Sequence, residues 1–225
     1  MNGREAILNR LRVALREGKD DAAREQAVQA RITTAPRGVI PLRAQLPLEQ
    51  QVALFCSMAE KFAATVERVS SPAAVPSSVA AYLRQRNLPA RVRMGADARL
   101  ASMPWSSEPA LEIVQGRAQD EDLVGVSHAI GGIAESGTLV LHSGQDNPTT
   151  VNFLPEYHLV VVLAKDIVGD LETIFDRVRN TFGKGHMPRT LNFITGPSRS
   201  ADIEQTLLLG AHGPRSLHIM VVDGD

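Results

Sequence analysis

Between Ala90 and Val222 the chain alternates short apolar runs with amphipathic stretches. Ala90–Met94, Leu111–Val114, Thr138–His142, His158–Ala164, Leu191–Thr195 and Leu217–Val222 have the length of buried strands. Leu123–Ile130 is partly apolar and is broken by Gly131-Gly132. Asp166–Phe182 keeps helical spacing, with Ile167, Leu171, Ile174, Phe175 and Val178 on one face. Short apolar strands alternating with helices predict an α/β fold: a mainly parallel sheet with helices on both faces.

The first part of the chain has a different rhythm. Residues 4–17 place Ile7, Leu8, Leu11, Ala14 and Leu15 on one face of an amphipathic helix. That helix either docks on its own domain or forms an arm for another subunit. Thr33–Pro47 holds three prolines and no clean period, so it reads as an extended linker. From Leu48, helical spacing runs through Val52, Phe55, Ala59, Phe62, Val66 and Val69, and Ser70-Ser71-Pro72 ends it. Ser77–Asn87 predicts a shorter helix. The expected organisation is an N-terminal helical arm over 1–32, a linker over 33–47 and one α/β domain over 48–225.

Composition narrows the function. The chain is 44% hydrophobic and 22% charged, enough for a substantial core. A formal net charge of −1 gives no field to recruit nucleic acid, and 4% aromatic residues supply few stacking platforms. Nucleic acid is therefore not an expected partner. The single cysteine, Cys56, cannot form an intramolecular disulfide or ligate an iron–sulfur cluster. No GxGxxG fingerprint is present, so no dinucleotide is expected, and none of the cofactors iron–sulfur cluster, flavin or haem is anticipated. The apolar runs are strand-length, too short for a membrane span, and the N-terminus has no secretory pattern. A cytoplasmic location is the expectation.

Two stretches carry candidate chemistry. In Gly131–Thr138, glycines permit a tight turn that presents Glu135 beside Ser136 and Thr138. Gly132, Ser136, Gly137 and Thr138 are the candidate ligand contacts there, and Glu135 the candidate nucleophile; the plain alternative is a surface glutamate whose hydroxyl neighbours cap the loop. In Leu191–Gly213, a strand reaches Thr195 and Gly196-Pro197 breaks it. Ser198 or Ser200 then reads as a cap, and Asp202 and Glu204 as the acidic first turn of a helix. Arg199 stands where helix N–H groups already attract anions, so Thr195, Gly196, Ser198, Arg199, Asp202 and Glu204 form a candidate carboxylate or phosphate site. His212 follows and is placed in the same cleft; a salt bridge from Arg199 to Asp202 or Glu204 is the competing reading.

Other motifs fall short. Gly125-Val126-Ser127-His128-Ala129 departs from GxSxG at its last position, where the elbow needs a very small residue. Gly183-Lys184-Gly185-His186 lacks phosphate-loop spacing. No histidine pair has HExxH spacing, so no metal site is expected.

The blocks HAIGGIAESGTLVL and ITGPSRSADIEQTLLLGAHGPRSLHIMVV resemble, in that order, two signatures of the LUD domain family, of the lactate-utilisation protein C type. The resemblance implies a fold similar to NagB/RpiA/CoA transferase-like proteins. It implies a contribution to oxidising L-lactate to pyruvate beside cysteine-rich iron–sulfur partner proteins, with a small carboxylate or phosphate-containing ligand. It also raises an alternative, CoA-transferase-like acyl transfer on Glu135, and a third, a purely structural subunit. One stretch departs from the family: Asp146–Phe153 stands before Pro155-x-x-His158, where members often place an arginine or a leucine-serine run. The ligand can therefore differ although the fold is shared.

Overall fold

The computed structural model describes residues 3–16, 21–203 and 206–224. Residues up to Val39 form one compact unit and those from Ile40 a second. The first unit holds helices α1 (Gly3–Arg16) and α2 (Asp21–Thr34).

The second unit runs α3 (Leu48–Lys61), β1 (Thr65–Val69), α4 (Val75–Gln85), β2 (Arg91–Met94), α5 (Ala98–Ala101), β3 (Glu112–Gln115), β4 (Val124–His128), β5 (Gly131–Ile133) and β6 (Thr138–His142). It continues with α6 (Thr150–Phe153), β7 (Tyr157–Leu163), β8 (Ile167–Val168), α7 (Leu171–Phe182), β9 (Leu191–Ile194), β10 (Arg199–Ile203), β11 (Thr206–Leu209) and β12 (Ser216–Val222).

Six strands form a parallel sheet in the order β1-β12-β7-β4-β2-β3. The expected α/β architecture with a parallel central sheet is what the chain adopts. Side chains alternate across it. Val124, Val126, Leu159, Val161, Met220 and Val222 pack against α4 and α5 through Val79, Leu83 and Leu100. Val160, Val162, Ile219 and Val221 pack on the other side against Val52, Phe55 and Ala59 of α3.

That second face also meets a small mixed sheet, β8-β5-β6-β9, which contributes Leu139 and Leu141. Helix α7 covers the far side of this sheet with Ile174 and Val178. Asp170 caps α7 by accepting from Thr173 N–H at 2.9 Å.

Three expectations change. The helix from Leu48 stops at Lys61, because Ala63 turns into the left-handed region (φ 66°) and residues 65–69 become β1. Residues 167–168, expected in a helix, pair with β5 instead. The helix expected after Ser198 is an antiparallel hairpin: Arg199 opposes Leu209 and Ser200 opposes Leu208. Ser198 N–H donates to Pro214 O at 2.8 Å, and Gly210 N–H donates to Ser198 O at 3.0 Å. These long-range backbone bonds outweigh the local acidic pattern that read as a helix start.

Candidate functional site

A cavity of about 260 Å³ opens where β9 and the 195–199 turn approach the amino ends of β7 and β12. Phe153, Phe193, Ile194, Pro197, Pro214 and Leu217 give it apolar walls. Arg199 and His212 line it, together with Thr195, Gly196, Ser198 and Gly213. Its remaining lining residues, Asn152 and His158, are polar and buried, at 5% and 1% exposure. Ligands in open parallel sheets usually sit at the carboxyl ends of strands. This cavity sits at the opposite end, closed by the small sheet and the hairpin.

The turn is held tightly. Gly196 has φ +72°, and a Cβ there would collide with the Phe62 carbonyl oxygen. The same carbonyl accepts a hydrogen bond from the Arg199 guanidinium. Arg199 is thus tied to α3's C-terminal turn. With the helix replaced by a hairpin, no helix N-terminus reinforces it. Asp202 lies in β10, and Glu204 lies outside the described residues.

The Gly131–Thr138 motif is adjacent but faces a second hollow, about 410 Å³, with Glu135, Ser136 and Thr138 in its lining. Phe193 and Thr195 border both spaces. Thr138 Oγ1 lies 2.7 Å from Thr195 Oγ1 and 2.8 Å from Ser136 Oγ, so a chain of hydroxyls joins the two motifs. Glu135 Oε1 accepts from Leu171 N–H at 3.4 Å, at the start of α7. Gly137 (φ +63°) lets the turn lie against the α3 backbone at Met58 and Ala59, where a Cβ would clash. Gly132 similarly leaves room for the Phe55 ring. Both glycines therefore serve packing between the motif and α3.

Beneath the first cavity lie residues that no motif singled out as a site. Ser127 donates to Asn152 Oδ1 at 2.7 Å, and His158 Nε2 lies 3.0 Å from Ser127 Oγ. Burial pushes the His158 pKa down to about 3. These side chains come from β4, α6 and β7. The available signal was a polar residue on the inward face of an otherwise apolar strand, which Ser127 and His158 both are. Among the described residues no group of three His, Cys, Asp or Glu side chains converges as a metal site. No described helix is long and apolar enough to cross a membrane. A larger hollow, about 890 Å³, is lined by α2 alone and brings no separate elements together.

The LUD domain family model matches residues 117–222, which contain both motifs and all three floor residues. Residues 117–222 belong to the LUD domain family. The chain is similar to lactate utilization protein C of Geobacillus sp. (strain WCH70), 41% identical over 102 residues, covering 44% of this chain and 42% of the relative. It is also similar to lactate utilization protein C of Bacillus subtilis (strain 168), 36% identical over 121 residues, covering 53% of this chain and 50% of the relative. The chain thus spans half or less of the length of these curated relatives. A DUF162 family protein from Deinococcus radiodurans shares the fold: its crystal structure has a TM-score of 0.58 and 22% identity, covering 79% of this chain and 99% of that one.

Proposed function

We propose that this LUD-domain protein binds a small organic acid in the cavity lined by Arg199, Asn152 and His158, and acts in lactate utilisation beside iron–sulfur partner proteins. The observation that carries the reading is the cavity's composition. Its walls are apolar, one guanidinium stands on its side and a buried, uncharged polar group forms its floor. Small-molecule sites commonly combine apolar walls with a few placed polar groups. Arg199 has five N–H donors, and the contact to Phe62 O leaves others to meet a carboxylate. Phe153, Phe193 and Leu217 suit a short alkyl portion. The names of the similar proteins support the lactate context. A single cysteine cannot ligate a cluster, so electrons from such an oxidation fall to partner proteins.

Calorimetric titration with L-lactate, pyruvate, propionate, sulfate and CoA tests the ligand. Binding of a short monocarboxylate, weakened by Arg199→Ala, is the expected result; no binding of any acid retires the reading. Capture of the protein from native cells tests the partnership, which iron–sulfur proteins in the eluate would support.

Acyl transfer with Glu135 as nucleophile has less behind it. Its carboxylate is engaged by the Leu171 N–H and faces the second hollow, apart from Arg199. Hydroxylamine trapping after incubation with acyl-CoAs would reveal an adduct at residue 135 by mass spectrometry, and its absence across the panel removes that role.

A further inference from the structure

The loop between β6 and α6 takes no part in the acid cavity. It lies over the carboxyl end of β2: a Cβ on Gly95, the residue after that strand, would meet Asp146 O and Pro148. Two other segments are pinned to it. Ala118 N–H donates to Thr150 Oγ1 at 3.0 Å, and Thr190 N–H donates to Ser143 Oγ at 2.8 Å. Ser143 N–H returns a bond to Thr190 O at 2.9 Å. Each pinned residue has an arginine immediately before it, Arg117 and Arg189. The two arginines line one hollow of about 630 Å³, together with residues 143–145 and 147–150. Ligands of open parallel sheets usually sit beyond the carboxyl ends of strands. This hollow meets that rule, since Arg117 lies just past the end of β3 and the loop covers the end of β2.

The hollow is rich in donors, and no carboxylate lines it. Elsewhere arginines are answered by acids: Arg68 by Asp223, Arg93 by Asp122, Arg99 by Asp97. Arg117 and Arg189 are exposed and make no hydrogen bond or ion pair among the described residues. The Ser143 and Thr150 hydroxyls each accept a backbone N–H, so each keeps its own proton to donate. Apart from Pro148, no lining side chain is apolar.

We propose that this hollow binds a phosphate-bearing small molecule, with Arg117 and Arg189 holding its charge. A guanidinium fork matches phosphate oxygens, and two forks suit a ligand with more than one negative charge. Without apolar walls the hollow has nothing for a carbon chain or an aromatic base, so it takes a polar ligand such as a diphosphate or a sugar phosphate. A net charge of −1 supplies no wider field for a nucleic-acid backbone. The hollow shares no lining residue with the cavity of Arg199, and the two assignments stand or fall separately.

Calorimetry on the full chain at low salt tests the proposal with pyrophosphate, inorganic phosphate, citrate and a short single-stranded oligonucleotide. Pyrophosphate should bind about tenfold more tightly than phosphate, in keeping with one further charge-assisted contact. Citrate, which carries charge on carboxylates, should bind more weakly than pyrophosphate. Arg117→Ala and Arg189→Ala should each weaken pyrophosphate binding about fivefold. Arg84→Ala, which removes an exposed arginine from α4, should not. Amide NMR gives the location: signals of residues 143–150 should shift with pyrophosphate and those of residues 195–199 should not.

Absence of pyrophosphate binding overturns the proposal and leaves the acid-binding reading untouched. Equal binding of citrate overturns the phosphate class, and tighter binding of the oligonucleotide overturns the small-molecule class. Weakening by Arg199→Ala, with Arg117→Ala and Arg189→Ala unchanged, would place the anion in the first cavity and overturn the site.

Discussion

His128 and His158 occupy neighbouring strands of the central sheet, His128 ending β4 and His158 near the start of β7. They are 3% and 1% exposed, and burial pushes their pKa values down to about 4 and about 3. The Arg99 charge adds to the depression at His128. Each has one ring nitrogen without a hydrogen-bond partner. Their tautomers differ. His128 Nδ1 sits 2.7 Å from the Ala129 carbonyl and must donate to it, which leaves Nε2 bare. His158 is bare at Nδ1, because Ser127 gives its own proton to Asn152 and accepts from Nε2. The larger difference is space. The enclosure beside His128 is about 10 Å³, no more than about one water can fill. His158 lines about 260 Å³. Burial, neutrality and an unpartnered nitrogen are therefore common to both ends of the sheet. Room for a ligand beside the imidazole belongs to one.

The strongest way to sharpen that contrast is steric. Gly95 borders the His128 enclosure, and a Cβ there would meet the Asp146 carbonyl oxygen and Pro148, so Gly95→Ala should cost about 3 kcal/mol in denaturant unfolding. Gly213 borders the His158 cavity, where a Cβ would lie 3.5 Å from Ser198 Cβ and 3.7 Å from Phe153. Gly213→Ala should change stability by less than about 0.5 kcal/mol while narrowing the cavity and weakening acid binding.

Next in size is the response to ligand. Lactate at a hundredfold excess over its dissociation constant should stabilise the protein by about 2.7 kcal/mol in thermal unfolding. The His158 ring signals should shift and those of His128 should not. Movement of both would mean the two ends of the sheet are coupled, contrary to the contrast drawn from space alone.

Acid titration gives a smaller effect with a definite sign. Both histidines have folded pKa values below their unfolded value of about 6.5, so the unfolded chain binds more protons and stability falls as pH drops below that value. Each histidine should contribute a slope of about 1.4 kcal/mol per pH unit. His128→Phe and His158→Phe should each remove one such slope between pH 6 and pH 5. Below about pH 4 the His128 contribution levels off while that of His158 continues towards pH 3. Equal slopes in wild type and variants would show that neither histidine is held neutral.

The smallest effect concerns the cavity wall. Arg199 is exposed, so Arg199→Ala should weaken carboxylate binding by only about 1 kcal/mol, measured by calorimetry at low salt. Salt should weaken the wild type towards the variant.

The strands that were legible in the sequence share one property. Thr138–His142 forms β6 with those bounds, the run at His158 forms β7 shifted by one residue, and the run at Leu217 forms β12 with one residue added at its start. Each is a continuous apolar stretch, and such a stretch has few alternatives to a buried strand. Val66 and Val69 continued the helical spacing of α3, so β1 was hidden until the backbone turned at Ala63. The strands β5 and β8, of three and two residues, exist only through pairing with distant segments.

The parallel sheet, the family signatures and the residues that mark their turns were legible along the chain, because strand periodicity, glycine and proline act locally. Tertiary structure decided the rest. It made the segment after Ser198 a hairpin, because the ladder and the backbone bonds that join Ser198 to Gly210 and Pro214 compete successfully with local helix signals. It set Thr138 beside Thr195, and it assembled Ser127, Asn152 and His158 under one cavity. Those contacts depend on sheet register and on which side of a strand faces inward, and no local spacing records which distant residues will share a face.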